Sequence, residues 1–333
     1  MDAVLVKKKH RLWGQKQIDP DLDECFVVAS AQKLNALLKG SRAKRQALKN
    51  LADATTLVVF DEAHHVIAPS YRRVLNYFSR RKDRAPVPVI GLTATPGRGS
   101  DPTRQQVRRL AKFFNGNLLV PSMLRRSANP YVRLQREGIL SKTRDDHLET
   151  DETIEVTPDE KQHLEEFHAY PPKLLRRVGL IHSRNQQILQ AVTRRHAQKP
   201  RPTIVFACDT TQAELLAGEW RRRGLDARVI LGETPPALRR EWIEGFKRGR
   251  VDILVNFGVL TTGFDAPNVE RVVMARPTTS PVLFEQMIGR GLRGPRFGGT
   301  EVCQVLDVVD RFQFHGSPKG FARWELEWMK GER

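Results

Sequence analysis

Residues 55–65 read TTLVVFDEAHH. A run of β-branched and apolar residues, Thr55 to Phe60, passes at once into two carboxylates, Asp61 and Glu62, and then two histidines. Apolar residues at consecutive positions mark a strand buried on both faces, the signature of a parallel sheet. Ligand sites in such sheets lie beyond the carboxyl ends of the strands, so Asp61 and Glu62 are expected to project into one. An aspartate there can hold Mg²⁺, usually through water, because Mg²⁺ keeps much of its hydration shell. A neighbouring glutamate can orient and deprotonate an attacking water. The alternative is an acidic turn that only caps the next helix, and DEAH alone leaves the two readings level.

The rest of the chain repeats this kind of strand. CFVVAS (25–30), VPVIGL (87–92), PTIVFA (202–207), DARVIL (226–231), VDILVN (251–256), VERVVMA (269–275) and VCQVLDVV (302–309) are mostly continuous apolar runs. Between them lie stretches of helical spacing, such as AQKLNALLKGSRAKRQALKNL and TTQAELLAGEWRRRG. Strand–helix alternation predicts α/β architecture with right-handed crossovers. The pattern occurs twice with a break between. A first domain is expected over 1–130, a connecting segment over 131–180, acidic and polar around RDDHLETDETIEVTPDEK, and a second domain over 181–333.

The 333 residues suffice for two domains at roughly 150 residues each. Lys and Arg number 56 against 38 Asp and Glu, a formal charge of +18, which favours a polyanionic partner, nucleic acid before an anionic membrane surface. Hydrophobic residues at 40% exclude a wholly disordered chain. Cys25, Cys208 and Cys303 are too few and scattered for a disulfide framework or a zinc site. No apolar run approaches the roughly 18 residues of a membrane span, so no membrane partner is expected. The charges of MDAVLVKKKHRLWG follow a very short apolar stretch, unlike a signal peptide, which makes a reducing cytoplasm the default location.

Two further segments carry chemistry. VPVIGLTATPGR (87–98) is a second buried strand that ends in Thr93-Ala94-Thr95-Pro96. Small hydroxyl residues there can bond a neighbouring carboxylate or backbone and so couple adjacent strand ends. FEQMIGRGLRGP (284–295) places Gln286, Arg290 and Arg293 after a predicted helix, the two arginines three positions apart and expected on one side. Two guanidiniums near glycines suit a triphosphate held between domains, and an arginine finger is worth about 10³-fold or more in phosphoryl transfer. An ordinary basic helix face is the alternative.

DEAH followed by TATP resembles motifs II and III of superfamily 2 helicases and translocases. The later segments agree in order: PTIVFACDTTQAELLAGEW (202–220) is similar to motif IV, VNFGVLTTGFDAPNVERVVMARPT (255–278) to motif V, and FEQMIGRGLRGP to motif VI with its QxxGRxxR spacing. Upstream, FVVASAQKL (26–34) resembles motif Ib. The wording is nearest to the bacterial DEAD/DEAH-box branch that includes type III restriction subunits and DNA repair helicases. The resemblance implies two RecA-like parallel-sheet domains in tandem, ATP and Mg²⁺ as cofactors, and a nucleic-acid partner, DNA before RNA. It implies Asp61, Glu62, His64, Arg290 and Arg293 as catalytic, with Asp61 and Glu62 at the metal and His64 coupling the acidic pair to motif VI. Gly263, Asp265 and Gln286 fall on the nucleotide side, Thr93 and Thr95 on the coupling element. Ser30, Gln32, Thr261 and Thr262 fall near the nucleic-acid phosphates, where a hydroxyl with a backbone N–H makes a sequence-blind contact.

One motif has no counterpart. The phosphate-cradling loop G-x-x-x-x-G-K-[ST] does not occur in the 333 residues. Leu38-Lys39-Gly40-Ser41, Pro96-Gly97-Arg98-Gly99-Ser100 and Pro318-Lys319-Gly320 each lack a required element. The first domain is therefore expected to be N-terminally truncated, less stable than the second, and to expose strand edges and apolar faces. A separate chain supplying the Walker A segment is an expected partner. The competing reading is a non-catalytic nucleic-acid-binding or assembly module.

Overall fold

The computed structural model describes residues 8–12, 25–80, 85–93, 103–119, 130–167, 169–260 and 266–313. The chain divides into two compact units, Met1–Leu119 and Val120–Arg333. Both are α/β with parallel strands, the RecA-like class.

Unit 1 holds strands β1 (Lys8–Leu12), β2 (Cys25–Ala29), β3 (Val58–Asp61) and β4 (Val89–Leu92) and helices α1 (Ala31–Leu38), α2 (Arg42–Ala54), α3 (Pro69–Ser79) and α4 (Thr103–Phe113). Ser30 and Ser41 cap α1 and α2 by accepting from the Lys33 and Lys44 amides. The strands pair in parallel as β1–β2 and β3–β4. One face of β3–β4 is packed: Val58, Phe60 and Val89 meet Val66, Leu75 and Leu110. The other face is open. Val59 lies opposite Ile90 and Asp61 opposite Leu92. Leu57, Val59, Ile90 and Leu92 on that side are 43–50% exposed. The continuous apolar runs predict cover on both faces, and only one is covered here.

Unit 2 carries the complete version of the same design. Its elements are α5 (Pro130–Arg136), β5 (Lys142–Glu155), α6 (Pro158–Phe167), α7 (Pro172–Gly179), α8 (His182–Gln198), β6 (Thr203–Phe206), α9 (Thr210–Arg222), β7 (Ala227–Ile230), α10 (Pro236–Lys247), β8 (Ile253–Asn256), β9 (Arg271–Met274), α11 (Pro281–Ile288) and β10 (Val302–Gln313). Six parallel strands run in the order β5-β10-β9-β6-β8-β7. On one face Val205, Ile253, Val255 and Val273 pack under α8 and α9, with Trp220 fully buried. On the other, Ile204, Phe206, Leu254 and Met274 meet Phe246 of α10 and Met287 of α11. Every residue of β6, β8 and β9 is buried as a result.

The stretch 131–180, expected as a connector, lies within unit 2. Its acidic part is an edge strand: β5 runs parallel to β10 from Lys142↔Val302 to Glu155↔Gln313. Charged side chains on an exposed edge block pairing with other chains.

Candidate functional site

Asp61 ends β3 and Thr93 follows β4, so parallel pairing of these strands brings DEAH and the first threonine of TATP to one sheet edge. Asp61 is exposed, and its Oδ1 accepts the Glu62 amide at 2.9 Å. Glu62 has φ 53° and ψ 51°, the left-handed region, one of two non-glycine residues with positive φ among those described. That conformation costs about 1–2 kcal/mol for a residue with a Cβ. Strain of this kind gathers at functional sites. Here it turns the chain sharply off the strand and directs the Glu62 carboxylate to His64, with Oε2 3.4 Å from Nδ1. His64 is 1% exposed, and the same Nδ1 shares a 3.1 Å hydrogen bond with Thr93 Oγ1. One buried imidazole thus links the glutamate at the end of β3 to the threonine after β4. Small hydroxyls bonding a carboxylate directly were the expectation for Thr93; the structure places a histidine between. His65 stacks on Tyr71 of α3, with ring centroids 5.7 Å apart.

Ser30 spends its hydroxyl on the α1 cap, 3.1 Å from the Lys33 amide. Gln32 is exposed and donates to Tyr71 Oη at 3.0 Å. The two share the first turn of α1, beside a shallow groove between α1 and α3 lined by Asn35, Lys39, Ser70 and Tyr71.

In unit 2, Gln286 lies in the last turn of α11, and its carbonyl accepts from Arg290 Nε at 3.3 Å. The helix ends at Ile288, so a helical spacing of three is not what positions Arg290 and Arg293. Arg293 instead forms an antiparallel bridge with Leu140, and its carbonyl accepts from Ser141 Oγ at 2.7 Å and the Thr300 amide at 2.9 Å. The intervening glycines allow this. A Cβ on Gly291 would lie 2.2 Å from Cys303 Sγ and 2.9 Å from Val272, and one on Gly294 would lie 2.3 Å from the Gly138 carbonyl. The turn is pressed against β9 and β10, with Arg293 left exposed to solvent. Burial raises the Glu285 carboxyl pKa beside it. Thr95, Thr261, Thr262, Gly263, Asp265 and the tail 321–330 lie outside the described residues.

The donor chemistry at Asp61 suits a hard cation carried mainly by water and phosphate oxygens. Among the described residues no cluster of three or more His, Cys, Asp or Glu could cage a metal, and Mg²⁺ does not need one. No described helix is long and apolar enough to cross a membrane.

Tandem RecA-like units with an acidic strand end in the first and paired arginines in the second define the class of helicase-type ATPases. Comparison with known proteins narrows the class. Residues 3–98 match the family "type III restriction enzyme, res subunit", and residues 183–294 match the helicase conserved C-terminal domain. A candidate ATP-dependent helicase of Saccharomyces cerevisiae, IRC3, is 27% identical over 303 residues, covering 91% of this chain and 39% of its own. A candidate mitochondrial ATP-dependent helicase of Schizosaccharomyces pombe, irc3, is 30% identical over 273 residues, covering 79% and 40%. Among solved structures, a fragment of a candidate HsdR subunit of a type I restriction enzyme from Vibrio vulnificus shares the fold, with TM-score 0.59 at 21% identity over 90% of this chain and 50% of that one. The chain belongs to superfamily 2 of the helicases. It spans about 40% of the length of these two relatives.

Sequence reasoning missed Tyr71, which ties Gln32 and His65 to α3, because a lone tyrosine on a helix carries no signal. It also missed the direct partners of His64, which arise from the pairing of β3 with β4.

Proposed function

We propose that this chain supplies the hydrolytic carboxylates and the arginine fingers of a nucleic-acid-dependent ATPase that moves along or unwinds DNA. The observation that carries the reading is the Glu62–His64–Thr93 linkage across two strand ends, with Glu62 held in a strained backbone. Asp61 would hold Mg²⁺ through water, and Glu62 would take the proton of the attacking water. Arg290 and Arg293 would stabilise charge developing on the transferred phosphoryl group, with Gln286, Gly263 and Asp265 on the nucleotide side. His64 relays the position of Glu62 to Thr93, and Thr95 continues that coupling element. Ser30, Gln32, Thr261 and Thr262 would touch the nucleic-acid backbone.

The phosphates of ATP lack their backbone cradle and lysine in these 333 residues. Turnover therefore needs a phosphate loop from a polypeptide segment outside them, in the same chain or another. The open apolar face of β3–β4 is the surface such a segment would cover. A reducing compartment, the cytoplasm in the first instance, suits the buried Cys208 and Cys303 thiols; the name of the S. pombe relative puts that protein in mitochondria.

The test is ATP hydrolysis by the 333-residue chain with and without single-stranded DNA or RNA, alongside strand binding across a salt series. The reading predicts salt-sensitive strand binding with turnover at background. Robust turnover abolished by Glu62→Gln refutes the need for an outside loop. Absence of strand binding refutes the nucleic-acid role.

A further inference from the structure

At the carboxyl edge of the unit 2 sheet, β9, β6 and β8 end side by side. Arg276 lies two residues beyond β9, Cys208 two beyond β6 and Phe257 one beyond β8. The Arg276 guanidinium sits over the Phe257 ring, 5.2 Å from its centroid. Reaching that ring from β9 takes the side chain across the end of β6, where the Cys208 thiol is buried.

Arg276 has no counter-charge there. Its Nε is buried without a hydrogen-bond partner, and no carboxylate pairs with it among the described residues. Cys208 does not serve, because burial pushes its thiol up to about 12 and keeps it neutral. Burial draws the Arg276 pKa down, the expected response of a cation stripped of water without an anion in return. The side chain is nevertheless fixed in place. The Ala275 carbonyl before it accepts from Arg184 at 2.6 Å and from the Cys208 thiol at 3.2 Å. Arg184 is itself locked to Asp310 at 2.6 Å, with both side chains fully buried. A cation–π contact offsets part of the desolvation cost, about 1–2 kcal/mol, and leaves the Nε donor unmet. The helices after β6 and β9, α9 and α11, also begin on this edge, and their N-termini add positive potential.

We propose that Arg276, braced on Phe257, is a phosphate-contact residue for a nucleic-acid strand crossing the carboxyl edge of the unit 2 sheet. It reads the backbone and not the bases, since a guanidinium facing a phosphodiester carries no sequence information. The assignment rests on the nucleic-acid reading above and adds a residue to it.

The experiment is fluorescence anisotropy of labelled 25-nucleotide strands, an oligo-dT and a mixed sequence, titrated with the 333-residue chain at several NaCl concentrations. Arg276→Gln is expected to weaken both strands equally, about tenfold, and to reduce the slope of log K against log salt by about one. Arg276→Lys keeps the charge and hence the slope, which separates loss of charge from any loss of packing. Phe257→Leu weakens binding by a smaller factor. An Arg276→Gln chain with wild-type affinity and slope overturns the assignment. So does a defect seen only when ATP and Mg²⁺ are present, which would give the cation to the nucleotide. If the wild-type chain binds no strand, the nucleic-acid reading fails and the assignment fails with it.

Discussion

Replacing Asp310 by alanine removes the only carboxylate that faces Arg184 within ion-pair distance. Asp310 receives Arg184 Nε at 2.6 Å and a terminal guanidinium nitrogen at 2.8 Å, and Thr150 Oγ1 at 3.3 Å. Both side chains of the ion pair are fully buried. The variant leaves a buried guanidinium whose remaining described acceptor is the Ala275 carbonyl. Breaking one side of a buried pair costs about 3–5 kcal/mol, a large share of the roughly 5–15 kcal/mol that holds a domain together. Urea unfolding followed by circular dichroism measures the loss. Tyr170 gives a second readout: burial, and then the Asp310 charge, push its phenol up to about 12, so its ultraviolet titration should move down in Asp310→Ala. The double variant Arg184→Met/Asp310→Leu should lose less than either single change, because no charge is stranded. An Asp310→Ala loss under about 1 kcal/mol, or a double variant that merely adds the two singles, refutes the reasoning.

Other perturbations follow from the same structure. Gly291→Ala forces a Cβ to within 2.2 Å of Cys303 Sγ, so it should cost unit 2 about 1–3 kcal/mol or more in thermal unfolding and shift the turn that carries Arg290 and Arg293. Asp307 has its carboxyl pushed up to about 6 from 3.8, chiefly by burial. Its contribution to stability is whole below about pH 4 and lost as pH rises through about 6. Asp307→Asn should therefore match wild type in Tm near pH 4 and exceed it at pH 8, by up to about 3 kcal/mol. Glu62→Gly relieves the left-handed backbone and should raise unit 1 stability by a few tenths to about 1 kcal/mol while removing the carboxylate. A clear loss of Tm would show that Glu62 is not strained.

Much of unit 2 was legible because its strands are buried on both faces. TIVF, ILVN and RVVM, the cores of β6, β8 and β9, announce themselves as continuous apolar runs. β5 did not, since KTRDDHLETDETIE is rich in residues that disfavour strands; it is a strand because β10 offers a long ladder, a tertiary cause invisible in the local sequence. β1, KKHRL, is hidden for the same reason and is held by β2. The acidic pair was legible from its place at a strand end, whereas its backbone strain and its histidine link were not. Arg290 and Arg293 were legible as residues but not as a turn, because the tight packing of Gly291 on Cys303 and of Gly294 on the Gly138 carbonyl depends on distant strands and loops. Arg276 gave no signal at all, since its place over Phe257 follows from sheet order.

The direct test of Glu62 as the hydrolytic base is complementation. A strand and phosphate loop from a matched helicase is fused ahead of the chain, and ATP turnover is measured with single-stranded DNA. The account predicts turnover stimulated by the strand and lost in the Glu62→Gln fusion, with ATP binding kept. A fusion that binds ATP and hydrolyses it equally well with Glu62→Gln would contradict it.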